Sequence, residues 1–281
     1  MILEVLEFEF MQRALIAGVA VAITSSVIGL FLVLRRNSLF GDALSHVAFG
    51  GIAVGLAVSI YPLWTGLTLS ILGALGITKL RQSAKIPADA SVAILLSSGL
   101  ALGLLFISLS GGFTLDLFSF LFGSILLVSV EDTLAILAMT GIILSIIILL
   151  YRQLMYITFD EEQARVSGLS ISKLNYLFVV LASVAVIVSM RLVGILLVSS
   201  LIVIPNITAL LFGKGFKKTA LISVSVSITS VVAGIAISYA ANLAPSATIV
   251  LISTAIFLAM LAARYYSKKK QIVEKLEEAR S

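Results

Sequence analysis

Arg35-Arg36-Asn37-Ser38-Leu39-Phe40-Gly41-Asp42-Ala43-Leu44-Ser45-His46 lies between the apolar run 11–34 and a second apolar run, 41–60. About 20 predominantly apolar residues suffice to cross a hydrocarbon core ~30 Å thick. The stretch therefore reads as a tight basic corner between two membrane spans. Working outward, the pattern repeats. Residues 63–80 are apolar and end at the basic loop 81–85. Residues 90–109 follow Pro87 and Asp89, both suited to a first helical turn. Further runs cover 133–151, 174–190, 193–212, 220–240 and 244–263. Segment 111–130 is apolar but interrupted by Asp116 and Gly123, and reads either as a full span or as a re-entrant pair of short helices. The expected fold is all-α, a polytopic membrane helical bundle with eight to nine transmembrane helices.

Composition agrees. Of 281 residues, 60% are hydrophobic and 12% charged, against about 25% charged in a soluble domain, and the mean hydropathy is +1.18. Strand-like alternation is absent, which excludes a membrane barrel. Residues 1–264 read as a single transmembrane domain and 265–281 as a charged, solvated tail. Residues 1–10 carry Glu4, Glu7 and Glu9 with no basic region, unlike a cleaved signal peptide.

The net charge of +5 does not mark a nucleic-acid binder, because the charges sit in short loops between spans. With the N-terminus outside and 111–130 re-entrant, all of the 19 basic residues except Arg13 and Arg191 fall in cytoplasmic loops or the tail. Acidic Glu4, Glu7, Glu9, Asp116, Glu131 and Asp132 fall outside. That asymmetry is the positive-inside pattern and predicts a cytoplasmic C-terminus. Cysteine is absent, which removes thiolate metal sites and disulfides.

Three features carry chemistry. Asp42 and the only histidine, His46, are four residues apart and share one helical face. Ionisable groups at membrane depth are costly and mark function. Carboxylate and imidazole suit Zn²⁺, Mn²⁺ and Fe²⁺; the competing reading is a hydrogen-bonded brace between the first two helices. Ser45 neighbours the pair and is placed to orient it. The second feature is the polar segment 159–168, where Glu162, Ala164 and Gly168 form Glu-x-Ala-x-x-x-Gly. In the third, Pro205 interrupts a span and predicts a kink, shortly before the basic loop that holds Lys214, Lys217 and Lys218. No phosphate-cradling Gly-x-x-x-x-Gly-Lys-Ser/Thr loop occurs, nor a Gly-x-Ser-x-Gly elbow. The chain is neither an ATPase nor a hydrolase.

Taken together, these blocks resemble the permease subunits of the zinc/manganese/iron ABC importer family (ABC-3). Leu34-Arg35-Arg36-x-Ser38-Leu39-x-Gly41-Asp42-Ala43-x-Ser45-His46 carries the resemblance most specifically. Thr158-Phe159-Asp160 with Ala164 and Gly168-Leu169 is a second block. Val193-Gly194-x-Leu196-Leu197-Val198 through Ile204-Pro205 and Ala209 is a third. The chain departs from the family's pattern in two places: Gly50-Gly51 stands where proline-glycine is usual, and Asn206 replaces a small residue.

The resemblance implies a homodimeric permease in a prokaryotic cell membrane, two cytoplasmic ATPase subunits and an extracytoplasmic metal-binding delivery protein. It implies no permanently bound cofactor, since Zn²⁺, Mn²⁺ or Fe²⁺ would be cargo held by Asp42 and His46. It implies that Asp160, Glu162, Ala164, Gly168, Pro205 and Lys217 serve ATPase coupling, with small residues allowing close approach of the partner. Two rival functions remain: a permease for a metal chelate such as a siderophore or cobalamin, and a carrier driven by an ion gradient.

Overall fold

The computed structural model describes residues 8–110, 112, 120–123 and 129–278. Segment 111–130, whose re-entrant reading was open, falls largely outside the described residues. Helices numbered along the chain are α1 (Glu9–Leu34), α2 (Phe40–Ala57), α3 (Pro62–Ala84), α4 (Ala88–Leu109), α5 (Val130–Leu149) and α6 (Tyr151–Phe159). After these come α7 (Glu161–Val166), α8 (Ile171–Val193), α9 (Ile195–Leu210), α10 (Phe216–Ala241) and α11 (Pro245–Glu278). No strand occurs among the described residues.

Eight of the described helices are long and apolar enough to cross a membrane: α1 to α5, α8, α10 and α11. The ninth expected span is α9. Its 16 residues measure about 24 Å at 1.5 Å per residue, short of a full crossing. Some boundaries differ from the sequence reading for local reasons. Helix α5 starts at Val130 because Ser129 caps it: the Asp132 amide donates to Ser129 Oγ at 3.0 Å, and the Ser129 amide donates to Asp132 Oδ2 at 3.2 Å. That reciprocal pair satisfies two otherwise orphaned donors. Helix α11 runs through position 264 without a break, so the charged tail begins as a continuation of the last span.

Helix α1 is the hub, and most of its membrane face is buried. Three consecutive residues tie it to three different helices. Thr24 Oγ1 lies 2.9 Å from Thr140 Oγ1 of α5, Ser25 Oγ 2.9 Å from Ser189 Oγ of α8, and Ser26 Oγ 2.7 Å from Ser223 Oγ of α10. Between membrane helices apolar burial supplies no drive, because lipid is as apolar as leucine; close packing and hydrogen bonds do the holding.

Helix α2 is held by backbone contact between α3 and α4. A Cβ at Gly51 would lie 2.7 Å from Gly66 Cα of α3, and one at Gly50 would lie 2.8 Å from the Gly99 oxygen of α4. The Gly50-Gly51 pair therefore admits two neighbours at once, and α2 stays helical through it.

One end of the bundle gathers Arg35, Arg81, Thr158 and Lys173 around a common cavity, with Phe216 stacked on Phe31 and Tyr151 nearby. The opposite end holds Phe8 and Phe10 against Tyr239.

Candidate functional site

The corner 35–39 sets the position of the site. Helix α1 closes with Asn37 N–H donating to Leu32 O at 2.9 Å and Arg36 N–H to Val33 O at 3.0 Å. Arg36 has φ 55°, the left-handed conformation that ends a helix in this way. Phe40 N–H then donates to Asn37 O at 3.1 Å, and α2 begins. Asp42 lies in its first turn, where the positive end of the helix favours a carboxylate. Gly41 lets α2 pass α9, since a Cβ there would lie 2.8 Å from Ile202 Cδ1.

His46 Nε2 stands 4.0 Å from Asp42 Oδ1, and the two side chains are 16% and 24% exposed. At that distance they are not hydrogen-bonded to each other. Two bonds of about 2.0–2.2 Å meeting at a tetrahedral angle subtend only ~3.4 Å, so the donors must close by roughly half an ångström to share a tetrahedral ion. His46 Nδ1 is buried without a partner. Ser45 Oγ donates to the main-chain oxygen of Asp42 at 2.7 Å, so its hydroxyl is occupied by the backbone of the same turn. Among the described residues no group of three or more His, Cys, Asp or Glu side chains could hold a metal ion. One chain thus offers a two-donor pair, half of a closed four-coordinate site.

Sequence reasoning missed one residue that positions His46. A Cβ at Gly99 of α4 would lie 2.5 Å from Val47 N and 2.7 Å from His46 C, so α4 rests directly on the peptide that follows the histidine. The signal was present as Gly99-x-x-x-Gly103, the small-residue spacing of close membrane-helix contacts.

The residues singled out for coupling occupy different settings. Asp160 caps α7, its Oδ1 accepting from Gln163 N–H at 2.8 Å. Glu162 is exposed. Ala164 is fully buried, clustered with Ile157, Ile171 and Leu174. Gly168 has φ 82° and no atom within 4 Å of its missing Cβ, so it serves the left-handed turn after α7. Both small residues also have internal reasons, the packing of Ala164 and the left-handed turn at Gly168. Pro205 is buried inside α9. Next to it, Asn206 Nδ2 donates to Ile202 O at 2.7 Å and its Oδ1 accepts from Ser223 Oγ at 2.7 Å, joining the Ser26 contact. Lys217 is exposed at the start of α10.

Arg35 ties the α1–α2 corner to α6 and α8. Its Nε donates to Thr158 Oγ1 and its Nη1 to Asn175 Oδ1, both at 3.0 Å, and its guanidinium lies 4.5 Å from the centre of the Phe178 ring. Burial pushes its pKa down to about 10, with Glu161 acting the other way.

The family profile described as "ABC 3 transport family" matches residues 7–264. The chain belongs to that family. The manganese transport system membrane protein MntC of Listeria monocytogenes is 33% identical over 274 residues, 96% of this chain and 98% of that protein. The manganese import system permease protein ScaB of Streptococcus gordonii is 32% identical over 252 residues, 90% of each. Among solved structures, PsaBC from Streptococcus pneumoniae in complex with Fab superposes with a TM-score of 0.85 at 31% identity, covering 96% of this chain and 98% of the other. A metal-chelate type ABC transporter in an inward-facing conformation gives a TM-score of 0.66 at 19% identity, covering 92% of this chain and 88% of that one; this likeness shows the fold alone.

Proposed function

We propose that this ABC 3 family chain is the membrane-spanning permease of an importer that carries a divalent transition metal, manganese foremost, into the cytoplasm. The observation that carries the reading is the alignment, over nearly the whole chain, with permeases named for manganese transport. Carboxylate and imidazole donors also accept Zn²⁺ and Fe²⁺. The chain has no nucleotide-binding loop, so the power stroke comes from two separate ATPase subunits, and an extracytoplasmic protein delivers the ion. Two copies of the chain, related by a two-fold axis along the ion path, bring together two Asp42 and two His46. A site shared in this way holds the ion loosely enough to release it. The chelate reading is weaker, because an already wrapped metal has no use for a carboxylate–imidazole pair. In proteoliposomes bearing the assembled complex, ATP-dependent uptake of manganese is expected to exceed that of zinc and iron in competition. Absence of ATP-dependent uptake of all three would overturn the reading.

The N-terminus lies outside and the C-terminus in the cytoplasm, with α7 and the loop before α10 facing the ATPase. Exposed Glu162 and Lys217 fix its register, while Asp160, Ala164, Gly168 and Pro205 shape the segments that carry them. The cysteine-free chain allows a direct check. Single cysteines at Glu162 and Lys269 are expected to react with an impermeant reagent from the cytoplasmic side, and one at Glu7 from the outside. The bound ATPase should shield Glu162 alone. Labelling of Glu7 and Lys269 from the same side would overturn the orientation, and an unshielded Glu162 the docking assignment.

A further inference from the structure

The cavity beside Arg35 has the wrong sign for the cargo. It encloses about 990 Å³ between the α1–α2 corner, the end of α3 and the elements from α6 to the start of α8. Among the described residues four cations line it, Arg35, Arg81, Arg165 and Lys173, against one carboxylate, Glu161, which is itself 3.6 Å from Arg165. A divalent cation is repelled there, so the cavity is not part of the ion's path.

Arg35 makes the case specific. Its hydrogen-bond partners, Thr158 and Asn175, are neutral, and its third nitrogen, Nη2, is buried with no partner. Among the described residues no carboxylate lies within ion-pair distance of it. Glu161 favours the charge of Arg35 only from beyond ion-pair distance and is itself 3.6 Å from Arg165; a buried cation so weakly compensated is costly, and the guanidinium fork matches the oxygens of a phosphate. The walls are not wholly polar: Phe40, Ile86 and Ile157 line the same space. One wall is the end of α3, a span that leaves Leu72 58% and Leu80 44% exposed.

We propose that this cavity is an anion site for a phosphate group, whether on an inner-leaflet phospholipid such as phosphatidylglycerol or free in the cytoplasm. The anion neutralises Arg35 and ties the α1–α2 corner, which carries Asp42, to the α6–α8 segment. Lipid is the source that the apolar walls favour. An anionic leaflet adds attraction for each nearby cation.

The test uses the purified full chain, stripped of lipid in neutral detergent, and reads its unfolding midpoint. Short-chain phosphatidylglycerol is expected to raise the midpoint where phosphatidylcholine of the same chain length does not. Sodium phosphate at constant ionic strength separates the two sources: stabilisation by phosphate as well points to a soluble anion, and stabilisation by the lipid alone points to the leaflet. Arg81→Gln with Lys173→Gln removes two lining charges that make no recorded hydrogen bond. This variant should keep the wild-type midpoint in phosphatidylcholine but need at least about tenfold more ligand for half effect, as loss of a charge-assisted contact implies. Arg35→Lys, which keeps the charge and loses the fork, should weaken binding in the same direction. Equal effects of the two lipids, unchanged half-saturation in both variants, or no response to either phosphate source would overturn the proposal. The last result would leave an acidic ATPase segment as the counter-charge. Uptake is not read, so the outcome is independent of whether Asp42 and His46 carry the ion.

Discussion

With asparagine in place of Asp42, manganese uptake by the assembled transporter is expected to fall at least about a hundredfold. Changes to groups that merely orient a metal's ligands cost 10–100-fold, and this substitution removes the charge of a proposed ligand outright while keeping its volume. His46→Leu should do the same by removing the nitrogen that stands 4.0 Å from the carboxylate. Because each chain supplies only two donors, a symmetric dimer loses two of four in either variant. Both proteins should still assemble with the ATPase and bind the delivery protein, since neither side chain makes a recorded hydrogen bond to another helix. Wild-type uptake in both variants, at matched expression, would reduce the pair to a structural feature of α2.

The second large effect lies on the neighbouring helix. Gly99→Val places a Cβ 2.5 Å from Val47 N and 2.7 Å from His46 C. Main-chain atoms cannot rotate aside, so α4 must back away from α2 or the histidine must move with its peptide. Overpacking of this kind costs typically 1–3 kcal/mol and occasionally more. We expect the upper end, seen as a lower unfolding midpoint and poor yield in detergent. Gly76→Val is the control, because nothing lies within 4 Å of the Cβ it would gain. Equal midpoints for the two variants would show that α4 does not press on the His46 peptide as described.

These two residues also mark what the sequence could and could not reveal. Asp42 and His46 were legible because ionisable groups are rare inside apolar runs, and helical spacing put both on one face. The spans were legible because each needs a long apolar run. Gly99 was overlooked because a glycine's role depends on what approaches it, and that is set by α2, more than fifty residues earlier. The packing of Ala164 was hidden for a related reason. A short helix with exposed charges reads as a docking element, but its one small residue turns inward onto Ile157 and Leu174. The break expected at Pro205 is not found, since α9 stays helical through it; the contacts of Asn206 with Ile202 and Ser223 were not legible, because the second joins two helices. Likewise the 16 largely apolar residues of α9 cannot be told from a full span until their ends are located.

The run Thr24-Ser25-Ser26 has a mechanical consequence. Consecutive helical residues point about 100° apart, so the three hydroxyls grip neighbours across more than half of the circumference of α1. Rolling or sliding the helix in any direction must break at least one grip, and a full roll breaks all three together. Each such bond between membrane helices is worth ~0.6 kcal/mol, so the set totals about 2 kcal/mol, a bias of roughly thirtyfold. That is enough to give α1 a detent, a preferred seat that thermal jostling rarely leaves. It is also shallow, because reversing a two-state balance of 99 to 1 calls for about 5.5 kcal/mol of differential binding and this one calls for less. The middle of the bundle is therefore indexed, not welded.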